Sequence, residues 1–270
     1  PLKSTTTVSQ SGEDIFGGSW TSTGYTITQE YSEKTWDGKL VWGYDINGID
    51  AMKGGTFTVT TTGAGEDIFG NSTTTDTTMV FEVIKGKTVV KESTSVTTGT
   101  DILGSSTTTN SHTITDYGWI TFNGKKYYVP LKSTTTVAQS GEDIFGGHWS
   151  STGYTITQEY SEKTWDGKLV YGYDINGIDA MTGGEFTVHT SGAGEDIFGN
   201  STTTDTTMVF EVIKGKQVVK ESTSLTTGTD ILGSSTTTNS HTITDYGWIT
   251  FKGKKYYVPL KSTTTVAQSG

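Results

Sequence analysis

Apolar and polar residues alternate along most of the chain, and Gly-rich turn sequences interrupt the alternation every 8 to 14 residues. In GYTITQEY, for example, Tyr25, Ile27 and Gln29 fall on one face of a strand and the residues between them fall on the other. A period of two predicts half-buried β-strands. We expect strands near 2–10, 19–31, 38–44, 56–63, 72–84, 88–98, 105–115 and 118–129, the last broken by a tight turn at 123–124.

An internal repeat divides the chain. Residues 1–129 and 130–258 align without a gap and differ at 11 positions, and residues 259–270 repeat the opening segment. The sequence therefore predicts an all-β protein with two tandem, near-identical antiparallel β domains of about eight strands each. Such domains fit either a sandwich or a small up-and-down barrel, and the pattern leaves both open. The segment 259–270 is either the first strand of a third copy or a strand that is swapped or added to a sheet edge.

The only prolines in the chain, Pro1, Pro130 and Pro259, occur once per repeat and at the same place. Proline cannot donate a hydrogen bond to a β-ladder, so it fits an edge-strand kink or a stiff joint between domains. Because the position coincides with the seam between repeats, we expect a stiff joint between domains.

Composition narrows the class of protein. The chain has 57 Thr, no Cys, no Arg and a net charge of -10. The negative charge argues against nucleic acid and anionic membranes as partners. The sequence contains no run of 18 apolar residues, so it predicts no membrane-spanning segment. An acidic, Thr-rich and Gly-rich chain of nearly identical repeats resembles the repeats of microbial surface and secreted adhesive proteins. That resemblance implies an extracellular or cell-surface location.

A Gly-x-Asp-Ile-x-Gly element recurs four times in each repeat, starting at 12, 43, 65 and 99 in the first. Glycines and an Asp that binds nearby backbone N–H groups are typical of turns. In this interpretation the Ile-Phe or Ile-Leu pairs close the ends of the core. If strands alternate up and down, the loops at 12 and 43 lie at one end of a domain and those at 65 and 99 at the other.

The same element also predicts calcium, because carboxylates beside free backbone carbonyls are ligands that Ca²⁺ prefers. It resembles the Gly-rich nonapeptide of calcium-binding β-roll toxins and adhesins, which implies calcium as a cofactor. The candidate ligands are Glu13, Asp14, Glu66, Asp67, Asp101, Glu142, Asp143, Glu195, Asp196 and Asp230.

The tryptophans predict a second kind of site. Trp36 and Trp165 lie in EKTWDGK hairpins, where an exposed ring beside Asp37 or Asp166 fits a sugar-binding face as well as simple packing. We expect the tryptophans at strand starts to lie in the core instead; these are Trp20, Trp149, Trp119 and Trp248.

Asn71 and Asn200 open Asn-Ser-Thr sequons and are candidate glycosylation sites. No motif assembles a nucleophile, a base and an orienting group, so the sequence favours a protein that is not an enzyme. We expect an extracellular tandem-repeat structural or adhesive protein, such as an adhesin stalk or filament subunit, whose partner is a further copy of itself. The alternatives are a carbohydrate-binding lectin with two equivalent sites and a small-ligand-binding β-barrel.

Overall fold

The protein is described from a computed structural model, which covers residues 1–13, 17–251 and 253–270. All regular structure in these residues is β-strand, so the all-β prediction is confirmed. The chain divides into two compact units, Pro1–Val129 and Pro130–Gly270.

Strands that begin in the first unit are β1 (Lys3–Glu13), β2 (Ser19–Trp36), β3 (Lys39–Ile46), β4 (Ile49–Asp50), β5 (Gly55–Glu66), β6 (Ser72–Ile84), β7 (Lys87–Thr100), β8 (Ser106–Phe122) and β9 (Lys125–Glu142). Those of the second unit are β10 (His148–Ser151), β11 (Tyr154–Trp165), β12 (Lys168–Ile175), β13 (Ile178–Asp179), β14 (Gly184–Glu195), β15 (Ser201–Ile213), β16 (Lys216–Thr229), β17 (Ser235–Phe251) and β18 (Lys254–Ser269).

Each unit is an antiparallel sheet, and bulges shift the register within some of its strand pairs. In the first unit β1 pairs with β2, the start of β2 pairs with β5, and β5 to β8 follow in sequence order. In the second unit β9 pairs with β10 and β11, β10 pairs with β14, and β14 to β18 follow in order.

A strand arm leaves the main sheet in each unit. The far half of β2 pairs with β3, and β3 pairs with the two-residue β4. Gly24, with a φ of +68°, separates this half of β2 from the half that pairs with β5. In the second unit the corresponding position divides β10 from β11, and β11, β12 and β13 form the arm.

The core lies where the arm packs against the sheet. In the first unit Ile46 of the arm, Ala51 and Val83 of β6 are almost fully buried in one cluster. In the second, Ile175 of the arm packs with Val212 of β15 and with further side chains of β14. Outside this cluster the sheet is thin. None of residues 72–78, 94–100 and 106–113 is buried, although they face both sides.

The two strands of most hairpins are connected by tight turns of one type. Asp37-Gly38, Asn47-Gly48, Lys85-Gly86 and Asn123-Gly124 all have positive φ at both positions, as do their counterparts that the structure describes in the second unit. Two consecutive positive φ angles define the type I′ turn, which matches the twist of an antiparallel hairpin. The Asn-Gly and Asp-Gly signals in the sequence thus specify the strand reversals locally.

The predicted sandwich and barrel are both wrong. The pairings in each unit connect its strands into one sheet and not two, and among the described residues β1 and β18 each pair with one strand of their own unit, so neither sheet closes. The physical reason is the arm. The tight turn at Asn47-Gly48 ends β3, and the arm then packs against one end of the sheet instead of continuing into a second sheet.

Pro130 lies inside β9, at the boundary between the two units, and Pro259 lies inside β18, so the seam proline is part of a strand and not of a loop. At Pro259 the pairing with β17 shifts by one residue, leaving Leu260 as a bulge. A bulge on an edge strand tolerates the missing N–H of proline.

Candidate functional site

The turns that precede β6 and β8 lie at one end of the first sheet, where β1 also ends at Glu13 and β2 begins at Ser19. The pairing register places Glu13, Ser19, Glu66, Ser72, Thr100 and Ser106 in one row across the strands. We call the turns at 67–71, 101–105, 143–147, 196–200 and 230–234 the tip turns. The prediction that the loops at 12 and 65 lie at opposite ends is therefore wrong. The copy at 43 differs in kind, because it forms the Asn47-Gly48 turn of the arm.

The Asp of a tip turn is held by its own loop. Asp67 Oδ1 accepts hydrogen bonds from the N–H groups of Phe69 at 2.8 Å and Asn71 at 2.9 Å, and Oδ2 accepts one from Asn71 Nδ2 at 2.7 Å. These bonds favour the ionised carboxylate and lower the pKa of Asp67, the Asn71 side chain contributing most. The prediction that this Asp side chain accepts hydrogen bonds from backbone N–H groups of its own turn is confirmed for Asp67.

The calcium candidates occupy two positions. Asp101, Asp143, Asp196 and Asp230 accept backbone bonds of the same kind as Asp67. Glu13, Glu66, Glu142 and Glu195 are the exposed last residues of β1, β5, β9 and β14. Asp14 lies outside the described residues. Among the residues that the structure describes, no three His, Asp or Glu side chains gather as a metal-holding group. Calcium stays a prediction.

The apolar pairs of the tip turns project into solvent. Ile68, Phe69, Ile102 and Leu103 are each more than half exposed, as are Phe145, Ile197, Phe198, Ile231 and Leu232. The prediction that these pairs close the core is wrong, because the core lies under the arm. Neighbouring tip turns instead touch each other: a Cβ on Gly70 would lie 3.2 Å from Ile102 Cγ2. The result is a row of exposed apolar side chains along one end of each sheet.

The two sequon asparagines tie adjacent tip turns together. Asn71 Oδ1 accepts the N–H of Ile102 at 3.2 Å while its Nδ2 donates to Asp67, and Asn200 repeats both bonds with Ile231 and Asp196. The atom that would carry a glycan is thus also a donor within the turn. Glycosylation at Asn71 and Asn200 stays a prediction.

The two hairpin tryptophans are about half exposed, at 46% each. Trp165 borders a shallow pocket of about 330 Å³, together with Tyr173, Met181 and Lys214. Asp37 and Asp166 occupy the first turn positions, with φ of +48°. An aromatic wall with a lysine beside it can contact a small ligand.

The four tryptophans expected in the core are on the surface instead, with 41% to 48% of their area exposed. Trp119 packs against Tyr128 with 5.2 Å between ring centroids, and Lys85 Nζ lies 4.4 Å above its ring. Trp20 lies over Gly12, since a Cβ there would be 2.5 Å from the indole Nε1. Trp248 packs in the same way as Trp119, with its ring centroid 5.2 Å from that of Tyr257 and Lys214 Nζ 4.7 Å from its ring, and Trp149 is the counterpart of Trp20 in the second repeat. These rings cover backbone and neighbouring rings because the thin sheet offers no interior to receive them.

The most enclosed charges form a cluster in each arm. Lys163 Nζ lies 2.7 Å from Asp174 Oδ1 and 2.9 Å from Asp179 Oδ2, and Asp179 Oδ1 accepts the N–H groups of Met181 and Thr182. The lysine hydrogen bond and these backbone bonds lower the pKa of Asp179 to about 2. The cluster joins β11, β12 and β13 with the turn that follows β13, which indicates a structural role.

We expect acid to weaken the second unit through Asp179. Its folded pKa lies below its ordinary value, so its stabilising contribution is complete above about pH 4 and is lost as the pH falls through about 2. Asp179→Asn should lower the free energy of unfolding by about 1–2 kcal/mol at pH 6, allowing for partial exposure, and by much less at pH 2. Urea unfolding at both pH values measures this. Asp166→Asn, on an exposed turn, is the control; an equal pH trend in both variants would contradict the assignment.

One twelve-residue sequence pairs with two different strands. PLKSTTTVAQSG occupies 130–141 and again 259–270, and 1–12 differs from it only in having Ser9 in place of Ala. In β9 it pairs with β11, from Lys132 opposite Glu159 to Val137 opposite Tyr154. In β18 it pairs with β17, from Pro259 opposite Tyr246 to Ser269 opposite Thr237. We call this sequence the shared strand.

The part of the chain that the structure describes contains no helix long and apolar enough to cross a membrane. Comparison of the chain with protein-family models, with curated proteins and with solved structures finds no match.

Proposed function

We propose that this chain is a non-enzymatic structural or adhesive repeat protein, working at a cell surface or outside the cell as part of a stalk or filament, and that copies join by exchanging the shared strand. The observation that carries the proposal is that the same twelve residues pair with a β11-type strand in one place and a β17-type strand in another. A β-strand has two edges, so one shared strand can serve both partners together.

Among the described residues, β1 and β18 each leave one of these edges unpaired within their own unit. Within its unit β1 pairs with β2 only, which leaves the edge that β17 uses on β18. Within its unit β18 pairs with β17 only, which leaves the edge that β11 uses on β9. Unpaired strand edges are templates for another chain. The edge left on β18 therefore matches β2 of a second copy.

A lysine marks the missing partner. Lys3 Nζ lies 2.9 Å from Glu30 Oε1, and the equivalent Lys132 lies 3.2 Å from Glu159. Lys261, the third copy of this residue, has no carboxylate within ion-pair distance among the described residues, although Asp245 lies opposite it. Pairing of β18 with β2 of another copy would give Lys261 the Glu30 contact that Lys3 now makes.

Exchange of β1 for the β18 of another copy would preserve the contacts that β2 now makes with β1. In an incoming copy the β2 edge is already covered by β1, so β18 must replace β1 rather than pair beside it. Because eleven of the twelve residues are the same, the new pairing repeats the old one, and the free-energy difference is small. Concentration then decides how many copies join, as in strand-donation assemblies.

Removing residues 1–12 should make the protein self-associate at concentrations at least about tenfold lower than the intact chain, because the β2 edge is then open. Analytical ultracentrifugation over a concentration series measures this. A synthetic peptide of the 259–270 sequence should bind the shortened protein and block its association. Removing 259–270 as well should leave a monomer.

The matched control is a peptide of the same composition in scrambled order. Lys261→Glu in the shortened protein supplies a further check, since it places like charges at the Glu30 contact and should weaken association. A shortened protein that stays monomeric at every concentration, or that ignores the peptide, would rule out strand exchange.

A second candidate function is carbohydrate binding at the hairpin tryptophans, which the pocket of about 330 Å³ beside Trp165 supports. Its ring is half exposed and has a lysine nearby, an arrangement suited to stacking a sugar and bonding one of its hydroxyl groups. Loss of glycan binding in Trp165→Ala would favour this function over a purely structural one.

A further inference from the structure

The second unit has a long trough on the face of the sheet that also carries the core. It measures about 670 Å³, within the range of small-molecule sites. By the strand register Trp149 lies toward the tip turns, and Tyr154 and Met208 lie toward the core. Thr202, Thr204 and Thr206 follow one side along β15. The trough shares no lining residue with the Trp165 pocket.

Two glycines create the trough. Gly192 and Gly194 alternate on β14, so both lack a side chain on the same face of the sheet. A Cβ on Gly194 would lie 2.9 Å from His148 O and 3.1 Å from Trp149 Cβ, and one on Gly192 would lie 3.0 Å from Ser150 O. No larger residue fits this close approach of β10 and β14. The floor of the trough is therefore bare backbone.

The lining of the trough carries no charge, although the chain has a net charge of -10. Hydroxyl groups, the Gln139 amide and the Trp149 indole are its polar groups. Thr204 and Thr206 bond to Thr226 and Ser224 on β16, but the described structure gives no side-chain partner to the Thr190 hydroxyl or the Trp149 indole N–H. These groups can donate and accept for a ligand without competing for one another.

We infer that the trough binds a neutral oligosaccharide, whose ring lies on the Trp149 indole and whose hydroxyl groups bond to Thr190 and to the Thr row. An elongated, uncharged channel with a half-exposed aromatic ring suits a ligand with apolar C–H faces and many hydroxyls, and it lacks the cation that an acidic ligand needs. The inference does not depend on strand exchange.

One site per chain is expected. The counterpart in the first unit, beside Trp20, has the same glycines at Gly63 and Gly65 but encloses only about 260 Å³. Tyr25, the equivalent of Tyr154, does not line it. The two repeats therefore offer one full-length trough and one shortened version of it.

Calorimetric titration of the full chain with neutral gluco-, manno- and galacto-oligosaccharides of two to six units tests the inference. We expect one site per chain, an affinity that hardly changes between 50 mM and 500 mM NaCl, and no binding of oligogalacturonate. Trp149→Ala should weaken binding about tenfold or more, as for a central aromatic contact. Thr190→Val, which keeps the shape and removes the hydroxyl, should weaken it by about two- to tenfold.

Trp20→Ala is the matched control and should leave both affinity and stoichiometry unchanged; Trp165→Ala separates this trough from the hairpin pocket. Melting temperatures verify that each variant is folded. The inference would be overturned if none of the neutral oligosaccharides bound, or if Trp149→Ala and Thr190→Val both left the affinity unchanged. Loss of binding in Trp165→Ala alone would also overturn it.

Discussion

Gly24→Ala should detach the end of β1 from β2 and lower the free energy of unfolding of the first unit by more than about 3 kcal/mol. Two effects combine. The φ of +68° disfavours any residue with a Cβ, and the added Cβ would lie inside van der Waals contact with the Val8 carbonyl oxygen. The atoms nearest to the added Cβ are backbone atoms of Val8 and Ser9, so no side chain can rotate to relieve the clash and the two strands must separate. Urea unfolding and hydrogen exchange of the β1 amides measure the effect.

Gly38→Ala is a close control, because its φ of +71° is similar and nothing lies within 4 Å of the added Cβ. It should cost only the backbone strain, about 1–2 kcal/mol, and leave β1 protected. If the two variants cost the same, the close approach at Gly24 is not what limits the position. Under the proposed exchange, Gly24→Ala should also raise self-association, because it opens the β2 edge.

Ile175→Ala should destabilise the second unit by about 2–5 kcal/mol, and Ile46→Ala should do the same in the first. Both side chains are 1% exposed and hold the arm against the sheet. The buried clusters are small, so little else can collapse into the cavity. Thermal and urea unfolding followed by tryptophan fluorescence report the loss.

Ile68→Ala provides the contrast. Its side chain is more than half exposed on a tip turn, and its removal should change the free energy of unfolding by less than about 0.5 kcal/mol. A large loss in Ile68→Ala, with little in Ile175→Ala, would mean that the tip turns and not the arm hold the fold together.

Local patterns predicted most of the strands, because alternation and Asn-Gly or Asp-Gly turns are local properties, but the predicted break between 115 and 118 is absent from β8, which is continuous from Ser106 to Phe122. The segment 72–84 was predicted with the bounds it has in β6. The omission of one strand, β4, changed the predicted positions of the loops that follow it. The two-residue β4 is too short to show alternation, and missing its reversal inverted the expected direction of every later loop. The tip turns were consequently assigned to opposite ends of the domain.

Predictions that needed tertiary knowledge failed for a different reason. Aromatic residues at strand starts usually enter a core, but Trp20 and Trp119 belong to a sheet whose core is confined to the arm. The trough did have a signal in the sequence: GAG at 192–194 places two glycines on one face of a predicted strand. Its width depends on how β10 approaches β14, which no local pattern contains.

The thinness of the sheets has a calorimetric consequence. Among the residues that the structure describes, eleven apolar side chains are buried, and ten of them belong to the two clusters where the arms pack against the sheets. The heat-capacity increment of unfolding scales with the apolar area that becomes exposed to water. A protein built this way has a small increment for its length, so its stability curve is broad and flat.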